Sequence, residues 1–544
     1  MGTWLLGCRG MGNVAALHER IAEVVPDREC IVAGPSRSTW GEVTERTRRL
    51  ASVLGKHGLG IHGGALDGEP WESPHDHVAL YLYNAPEYLE GMLGAWKARC
   101  ASVNINYRYV ATELLYVLRD SRAQAVIVGG SFTETLAEIL PELPELRLVL
   151  QVDDGSGAEL MRGAVDYEQA LADAEPTPPR DLSPDDRYIL YTGGTTGMPK
   201  GVLWRQEDFL AGCIGVTAPA DELVAAAPRR ARLRSLACAP FMHGAAHWNA
   251  LSTWMAGGTV VLPDDPTRFD PADIVATIEQ EEAASLQIVG DAFARPLLAE
   301  VDRRTAAGNP ADLSSLRFLL SGGAILSATA KAALVDAVPG LRIVDVLGSS
   351  ETGRQAVGDG AGTFTPEASA AVVSEDRTRI LAQDDHEMGW LAQQGHVPLG
   401  YLGDPDKTRA TFPVIDGVRY AVAGDRVRWD DRGNLVFFGR DSVTINTGGE
   451  KVFAEEVEQA ITSHPAVEDA LVVGRPNPKW GQEVVAVVAL RAAADQPPDD
   501  ELSAHCRHTI AGYKVPKAFV WADKIERSPS GKPDYAWARG LVTG

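Results

Sequence analysis

The stretch YILYTGGTTGMPKGVLW, Tyr188 to Trp204, sets small and hydroxyl-bearing residues between two apolar runs. Small residues such as Gly193, Gly194 and Gly197 let backbone N–H groups close on an anion. Thr192, Thr195 and Thr196 add hydroxyl donors, and Lys200 adds a point charge. Such a set suits a phosphate. It is not a Walker A loop, which ends G-K-[ST] and opens a helix. Here Lys200 stands between Pro199 and Gly201, and the chain runs on into GVLW, which reads as a strand. Composition leaves two readings: a phosphate-gripping hairpin, or an ordinary glycine-rich β-turn.

The elements around it alternate. HVALYLYN, AQAVIVGG, RYILYTGG, GGTVVLP, SLQIVG, LRFLLSGGA and LRIVDVLG read as strands, and YLEGMLGAWKA and ADIVATIEQEEA as helices. Alternation of this kind predicts α/β layers. The proline-rich AEPTPPRDLSPDD, Ala174–Asp186, is a surface connector. The texture changes after Gly439. The helix AEEVEQAITSHP, the strands EDALVVG and EVVAVVAL, a helix near Glu501–Ile510 and the strand KAFVWAD make a compact α+β unit. A chain of 544 residues is too long for one core. The expected division is therefore a large domain, 1–440, built of layered α/β subdomains, and a small mobile α+β domain, 441–544.

Further motifs follow in order: PFMHG (Pro240–Gly244), LSGGA (Leu320–Ala324), DVLGSSETG (Asp345–Gly353), GYLGDPDKTRATF (Gly400–Phe412), AGDRVRWDDRGNLVFFGR (Ala423–Arg440) and SPSGKPDYAWAR (Ser528–Arg539). With YTGGTTGMPKG, and in this order over residues 13–540, they resemble the adenylate-forming superfamily: acyl-CoA synthetases, adenylation domains and firefly-type luciferases. The resemblance favours the phosphate hairpin. It implies attack of a carboxylate on the ATP α-phosphate, release of pyrophosphate, and transfer of the acyl group to coenzyme A. Negative oxygens converge on one phosphorus in that step, so positive charge and N–H donors are needed there.

The resemblance also implies roles. Lys532 is the catalytic residue, bridging carboxylate and α-phosphate oxygens. Glu351 holds Mg²⁺, a hard cation that favours carboxylate oxygen. Ser350 stands where the family often has Thr. Thr192, Gly193, Gly194, Thr195, Thr196, Gly197 and Lys200 meet the ATP phosphates. Gly322, Gly323 and Ala324 let adenine lie flat, and Asp345, Gly348 and Ser349 belong to the same nucleotide wall. Asp425 and Arg440 take the ribose. Leu347 replaces the Tyr that often stacks on adenine, so apolar cover stays and stacking is lost.

On the acyl side the resemblance points to His243, His247 and Trp248. A lone His on an apolar segment is more often a packed core residue, so both readings stand for the two histidines. No base is required, because a carboxylate is already ionised at neutral pH. INTGGEKVFAEEVE, Ile445–Glu458, resembles the segment that lines the coenzyme A tunnel, with Gly448, Gly449 and Lys451 against the thin ligand. Lys514 and Arg475 are either contacts for its phosphates or surface charges. Ser442 stands at the hinge position, where Asp or Lys is common.

Composition limits the partners. Net charge is −23, which repels nucleic acid and anionic membranes. The six cysteines are scattered without a C-x-x-C, as suits a reducing cytoplasm. No apolar run approaches the roughly 20 residues of a membrane span, and the start, MGTWLLGCRG, is too short for a signal peptide. Met11 is an alternative start. GLGIHG, Gly58–Gly63, fits G-x-G-x-x-G but lacks a βαβ setting, and HCRH, His505–His508, lacks further metal ligands. The expected partners are ATP, Mg²⁺, coenzyme A and a carboxylic acid; oligomeric state stays open. The finer likeness is to actinobacterial ligases of fatty acids or sterol side-chain acids, so the acid expected is hydrophobic. An acyl-AMP ligase loading a carrier protein and a non-catalytic nucleotide-binding homologue are the alternatives.

Overall fold

Apolar runs that lack polar alternation belong in sheets buried on both faces, and the structure puts them there. It is a computed structural model, and it describes residues 12–543 apart from 63–67, 193–197, 325, 359–362, 441–442, 448–449, 478–479, 493, 511 and 529–530. Arg187–Thr192, Ala101–Asn104, His77–Tyr81, Ala123–Gly129 and Leu148–Val152 lie side by side, all parallel. One face of this sheet sends Leu80, Ile127, Leu150 and Leu190 into the main core. The other sends Tyr81, Val126, Val128 and Ile189 into a second core. The strand Lys200–Arg205 turns back antiparallel on Arg187–Thr192 and carries Gly400–Tyr401 on its outer edge.

A second sheet, of sixteen strands among the described residues, changes character midway. Arg234–Ala237, Ser285–Ile288, Phe318–Gly322 and Arg342–Ser349 are parallel. From Arg342–Ser349 onward every neighbour is antiparallel, beginning with Gly353–Gly358 and reaching Leu435–Arg440, Asp425–Trp429 and Gly389–Gln394. In open α/β sheets ligands gather outside the carboxyl ends of the parallel strands, where the winding changes. Gly322, Gly323 and the Ser349–Glu351 turn sit at those ends.

The last part of the chain has a core of its own, drawn from residues 443–542. The strands Val467–Asn477 and Gly481–Leu490 form a long antiparallel hairpin, and Ala518–Trp521 adds parallel to the second. The helices Ala454–Thr462 and Tyr535–Thr543 pack against it, and Asp499–Arg507 packs on Ala454–Thr462. The helix Tyr535–Thr543 begins inside the motif Ser528–Arg539. The expected boundary falls at residues 441–442, outside the described residues. As far as His62, GLGIHG follows the helix Trp40–Lys56 as a turn, with Gly58 at φ +71° and Ile61 bridged to His75; Gly63 lies outside the described residues. HCRH runs off the helix Asp499–Arg507 with Cys506 buried, and no group of metal-ligating side chains occurs among the described residues.

Candidate active site

The hairpin read as a phosphate grip is a hairpin: Thr192 stands opposite Lys200 across its two strands. Its tip, Gly193, Gly194, Thr195, Thr196 and Gly197, lies outside the described residues. Lys200 holds its ammonium 5.1 Å above the ring of Tyr401, within cation–π range. The Tyr401 hydroxyl donates to Glu351 Oε1 at 2.9 Å. Burial pushes the Tyr401 phenol well up, so it stays a donor. Cation, aromatic ring and carboxylate therefore form one chain from the hairpin to the candidate metal ligand. The sequence placed Lys200 and Glu351 here; it did not single out Tyr401.

Glu351 sits on the tight return between Arg342–Ser349 and Gly353–Gly358, where Ser349 pairs with Gly353. A Cβ on Gly348 would strike the Gly353 carbonyl, and one on Gly353, at φ +66°, would strike the Gly212 carbonyl. Only glycine fits at either place. The Ser349 hydroxyl accepts from the Glu351 N–H at 3.2 Å, the Thr352 hydroxyl accepts from the Ser349 N–H at 3.0 Å, and Trp204 Nε1 donates to the Ser350 carbonyl at 3.1 Å. The backbone that aims Ser350 and Glu351 is thus fixed on three sides. Asp345, earlier on the same strand, is paired with Lys331 at 2.7 Å. Burial still leaves its carboxyl raised. Leu347 is half-buried and packs on the cluster with Phe364 and Phe437.

Gly323 follows the end of its strand at φ +88°. A Cβ there would lie 4.0 Å from Lys532 Cε, so the lysine reaches the turn expected to face adenine. Its neighbour Gly531 is seated beside the same turn, just past the adjoining strand Ser285–Ile288, where a Cβ would lie 3.1 Å from the Val289 carbonyl and 3.2 Å from Phe293. Gly322 pairs with Val346, and Ala324 packs on the main core. Asp425 is 1% exposed and stands opposite Arg440 on adjoining strands.

His243 caps the helix Gly244–Met255, and its buried Nε2 meets no hydrogen-bond partner among the described residues. Its pKa is pushed down to about 3, by burial first and then by the charge of Lys532 and by His247. The ring is neutral, and it shares the electrostatic field of the lysine. His247 has a different fate. It is fully buried, its Nδ1 lies 2.6 Å from the Phe241 carbonyl and its Nε2 lies 2.5 Å from the Tyr188 hydroxyl. A carbonyl only accepts, so Nδ1 carries the proton and Nε2 accepts from Tyr188. Tyr188 in turn accepts from Trp248 Nε1 at 3.1 Å. Of the two readings open for His247, this geometry fits core packing: both nitrogens are used, and the ring supports Trp248 through Tyr188.

Two asparagines that the sequence reading passed over hold this segment. Asn84 donates to the Ala239 carbonyl at 2.9 Å and accepts from the Phe241 N–H at 2.6 Å. Asn104 donates to the carbonyls of Tyr191 at 2.8 Å and Met242 at 2.6 Å, and accepts from the Tyr191 N–H at 2.6 Å. Together they tie the base of the hairpin to the approach of His243.

With the geometry in place, the likeness to known proteins is decisive. The family model described as AMP-binding enzyme matches residues 18–401, and that of the AMP-binding enzyme C-terminal domain matches 456–532. The chain belongs to the AMP-binding enzymes. It is 49% identical to the medium-chain acyl-CoA ligase Mig of Mycobacterium avium, over 97% of this chain and 98% of that one. It is 39% identical to a medium/long-chain-fatty-acid–CoA/3-oxocholest-4-en-26-oate–CoA ligase of Mycolicibacterium smegmatis, over 97% and 96% of the two chains. In fold it resembles the anthranilate CoA ligase AuaEII, with a TM-score of 0.82 at 21% identity, covering 98% of this chain and 97% of that one. This AMP-binding enzyme is an AMP-forming acid–CoA ligase, and it uses ATP and coenzyme A.

The coenzyme A side of this AMP-binding enzyme is less fully described. Gly448, Gly449 and Ser442, which stands at the expected hinge, lie outside the described residues, and Lys451 is placed only by its backbone, opposite Asn446. Lys514 and Arg475 each carry an ion pair. Lys514 is paired with Glu456 at 2.6 Å, and Arg475 with Glu483 at 2.7 Å. No described helix is long and apolar enough to cross a membrane.

Proposed function

We propose that this enzyme activates a hydrophobic carboxylic acid, a medium-to-long fatty acid or the side-chain acid of a sterol, and that Lys532 drives the first step. The acid's carboxylate oxygen bonds to the α-phosphorus of ATP, the bond to the β-phosphate oxygen breaks, and pyrophosphate leaves. The thiol of coenzyme A then displaces AMP. The observation that carries this reading is the position of Lys532, beside the Gly323 turn and in the field of His243, on the side where nucleotide and acid would meet. Its ammonium would stabilise the crowded oxygens of the adenylation step. Lys200 and the hairpin would hold the outer phosphates. Neutral His243 would offer its unpartnered Nε2 to the carboxylate rather than act as a base.

A hard divalent cation fits the donor present: the Glu351 carboxylate, oriented by Tyr401, on the same turn as Ser350. Mg²⁺ held there would neutralise phosphate charge. The small unit, residues 441–544, would turn about the segment at Ser442 to bring Gly448, Gly449 and Lys451 to the coenzyme A side. Cys30, Cys100, Cys213, Cys238 and Cys506 are free thiols, which supports a cytoplasmic setting. The names of the relatives support the choice of acid.

The test measures coenzyme A-dependent AMP release over acetate, octanoate, palmitate and 3-oxo-cholestenoate, beside Lys532→Ala. Turnover is expected on the hydrophobic acids and not on acetate. Lys532→Ala should lower ATP–pyrophosphate exchange by about 10²–10³-fold and leave thioester formation from supplied acyl-AMP intact. Equal loss of both steps sinks the reading. Exchange without coenzyme A-dependent release would favour loading of a carrier protein.

A further inference from the structure

Lys532 stands on a short hairpin whose two ends are anchored differently. At the near end, Arg527 makes a forked ion pair with Asp469, Nε to Oδ2 at 2.7 Å and Nη2 to Oδ1 at 2.7 Å. The third arm, Nη1, reaches the carbonyl of Gly531 at 3.2 Å, the residue just before the lysine. The hairpin closes on itself through Ser528 N–H to the Lys532 carbonyl at 2.8 Å, Gly531 N–H to the Ser528 carbonyl at 2.8 Å, and Lys532 N–H to the Ser528 hydroxyl at 3.1 Å. At the far end, the Tyr535 hydroxyl donates to Glu458 Oε2 at 3.3 Å, and Glu458 Oε1 accepts from the Val472 N–H at 2.9 Å. Asp469 and Val472 belong to one strand, Val467–Asn477, so a single strand of the small unit's sheet backs both anchors.

A planar fork holds a carboxylate in fixed register, which an ammonium does not. Asp469 therefore fixes the Arg527 plane, and the plane fixes the Gly531 carbonyl. We propose that Arg527, held by Asp469, is a positioning residue for Lys532: it sets the backbone from which the lysine reaches the reacting oxygens. It serves the adenylation step alone, because thioester formation does not use the lysine. The inference rests on the role given to Lys532 above. The bland alternative is a staple that only keeps the end of the chain on the sheet.

The experiment uses the full-length enzyme with ATP and octanoate, and follows ATP–pyrophosphate exchange, thioester formation from supplied octanoyl-AMP and coenzyme A, and thermal melting. Misplacing a reacting group by about 1 Å costs about 10²-fold. Arg527→Lys and Asp469→Asn should therefore lower kcat for exchange by about 10–10²-fold, with KM for ATP and acid little changed and the thioester step intact. The double variant Arg527→Asp, Asp469→Arg restores the ion pair but not the donor to Gly531. It should recover the melting temperature and not the exchange. Equal loss of both half-reactions, or exchange recovered with stability in the double variant, overturns the inference. So does full exchange in Arg527→Lys while Lys532→Ala has lost it. If Lys532→Ala itself keeps exchange, the role of the lysine falls, and this inference falls with it.

Discussion

Glu351 and Lys532 reach the candidate site from supports built in opposite ways. Glu351 stands on a strand return inside the sixteen-stranded sheet, where the carbonyls of Gly353 and Gly212 leave no room for a side chain at Gly348 or Gly353. Lys532 is exposed, on a hairpin held by one forked ion pair and one phenol. Hard sterics admit a single geometry and suit the half of the site that stays in place. Hydrogen-bonded bracing would keep its geometry wherever the unit were carried, which would suit the lysine in the role proposed for it. The contrast predicts that damage to the Glu351 side is felt by the whole fold, and damage to the Lys532 side by one step.

The largest expected effect tests the fixed side. Glu351→Gln keeps an acceptor for Tyr401 and removes the charge offered to a cation. Exchange should fall by about 10²–10³-fold, and the Mg²⁺ concentration for half-maximal exchange should rise. Titrating exchange with MgCl₂ for both proteins decides it. An unchanged Mg²⁺ curve would remove the metal from Glu351 and leave the carboxylate as a partner of Tyr401 only.

A smaller effect tests the sterics directly. Gly353→Ala puts a Cβ on a left-handed residue and against the Gly212 carbonyl. Strain and overpacking together should destabilise the large domain by about 2–5 kcal/mol. Ser528→Ala removes one hydroxyl acceptor from the lysine hairpin and should cost about 1 kcal/mol or less. Denaturant unfolding of the two variants gives the comparison. Equal losses would mean that the return has room to relax and is not fixed as described.

Much of this was legible in the sequence, and the failures share a cause. The parallel strands announced themselves because burial on both faces leaves no polar alternation. The strand LRIVDVLG was legible as far as Gly348; the tight return to Gly353 was not, because the Gly212 carbonyl that closes on it is remote in sequence. Tyr401, Asn84 and Asn104 were missed because their partners are remote in sequence; Asn84 and Phe241 are 157 positions apart. His243 and His247 look alike in the sequence, and only packing shows that one is held between Phe241 and Tyr188. Lys514 and Arg475 looked as free as any surface charge. The partner of Arg475 was within reach of the sequence, since the hairpin of Val467–Asn477 and Gly481–Leu490 sets it directly opposite Glu483. That of Lys514 was not, because Glu456 is brought up only by the fold.

The smallest effect separates the two supports by pH. Glu458 is buried behind Tyr535 and carries the far anchor of the lysine hairpin. Burial first, and then the charge of Glu455, push its carboxyl up to about 8, against the pull of Arg527 and of its hydrogen bonds to Val472 and Tyr535. An unfolded glutamate titrates near about 4.3. Between these values the folded unit binds the proton that the unfolded chain releases. The contribution is therefore full below the unfolded value and is lost as pH rises through about 8. Glu458→Gln keeps the shape, accepts from the Val472 N–H and removes the titration. Its melting temperature relative to the parent should thus be higher at pH 8 than at pH 5. The return around Glu351 is held by backbone contact that pH does not alter, so Gly353→Ala should show the same deficit at both pH values. An offset for Glu458→Gln that does not change with pH would mean that the carboxyl is charged throughout, and that the far anchor is held by charge rather than by a neutral hydrogen bond.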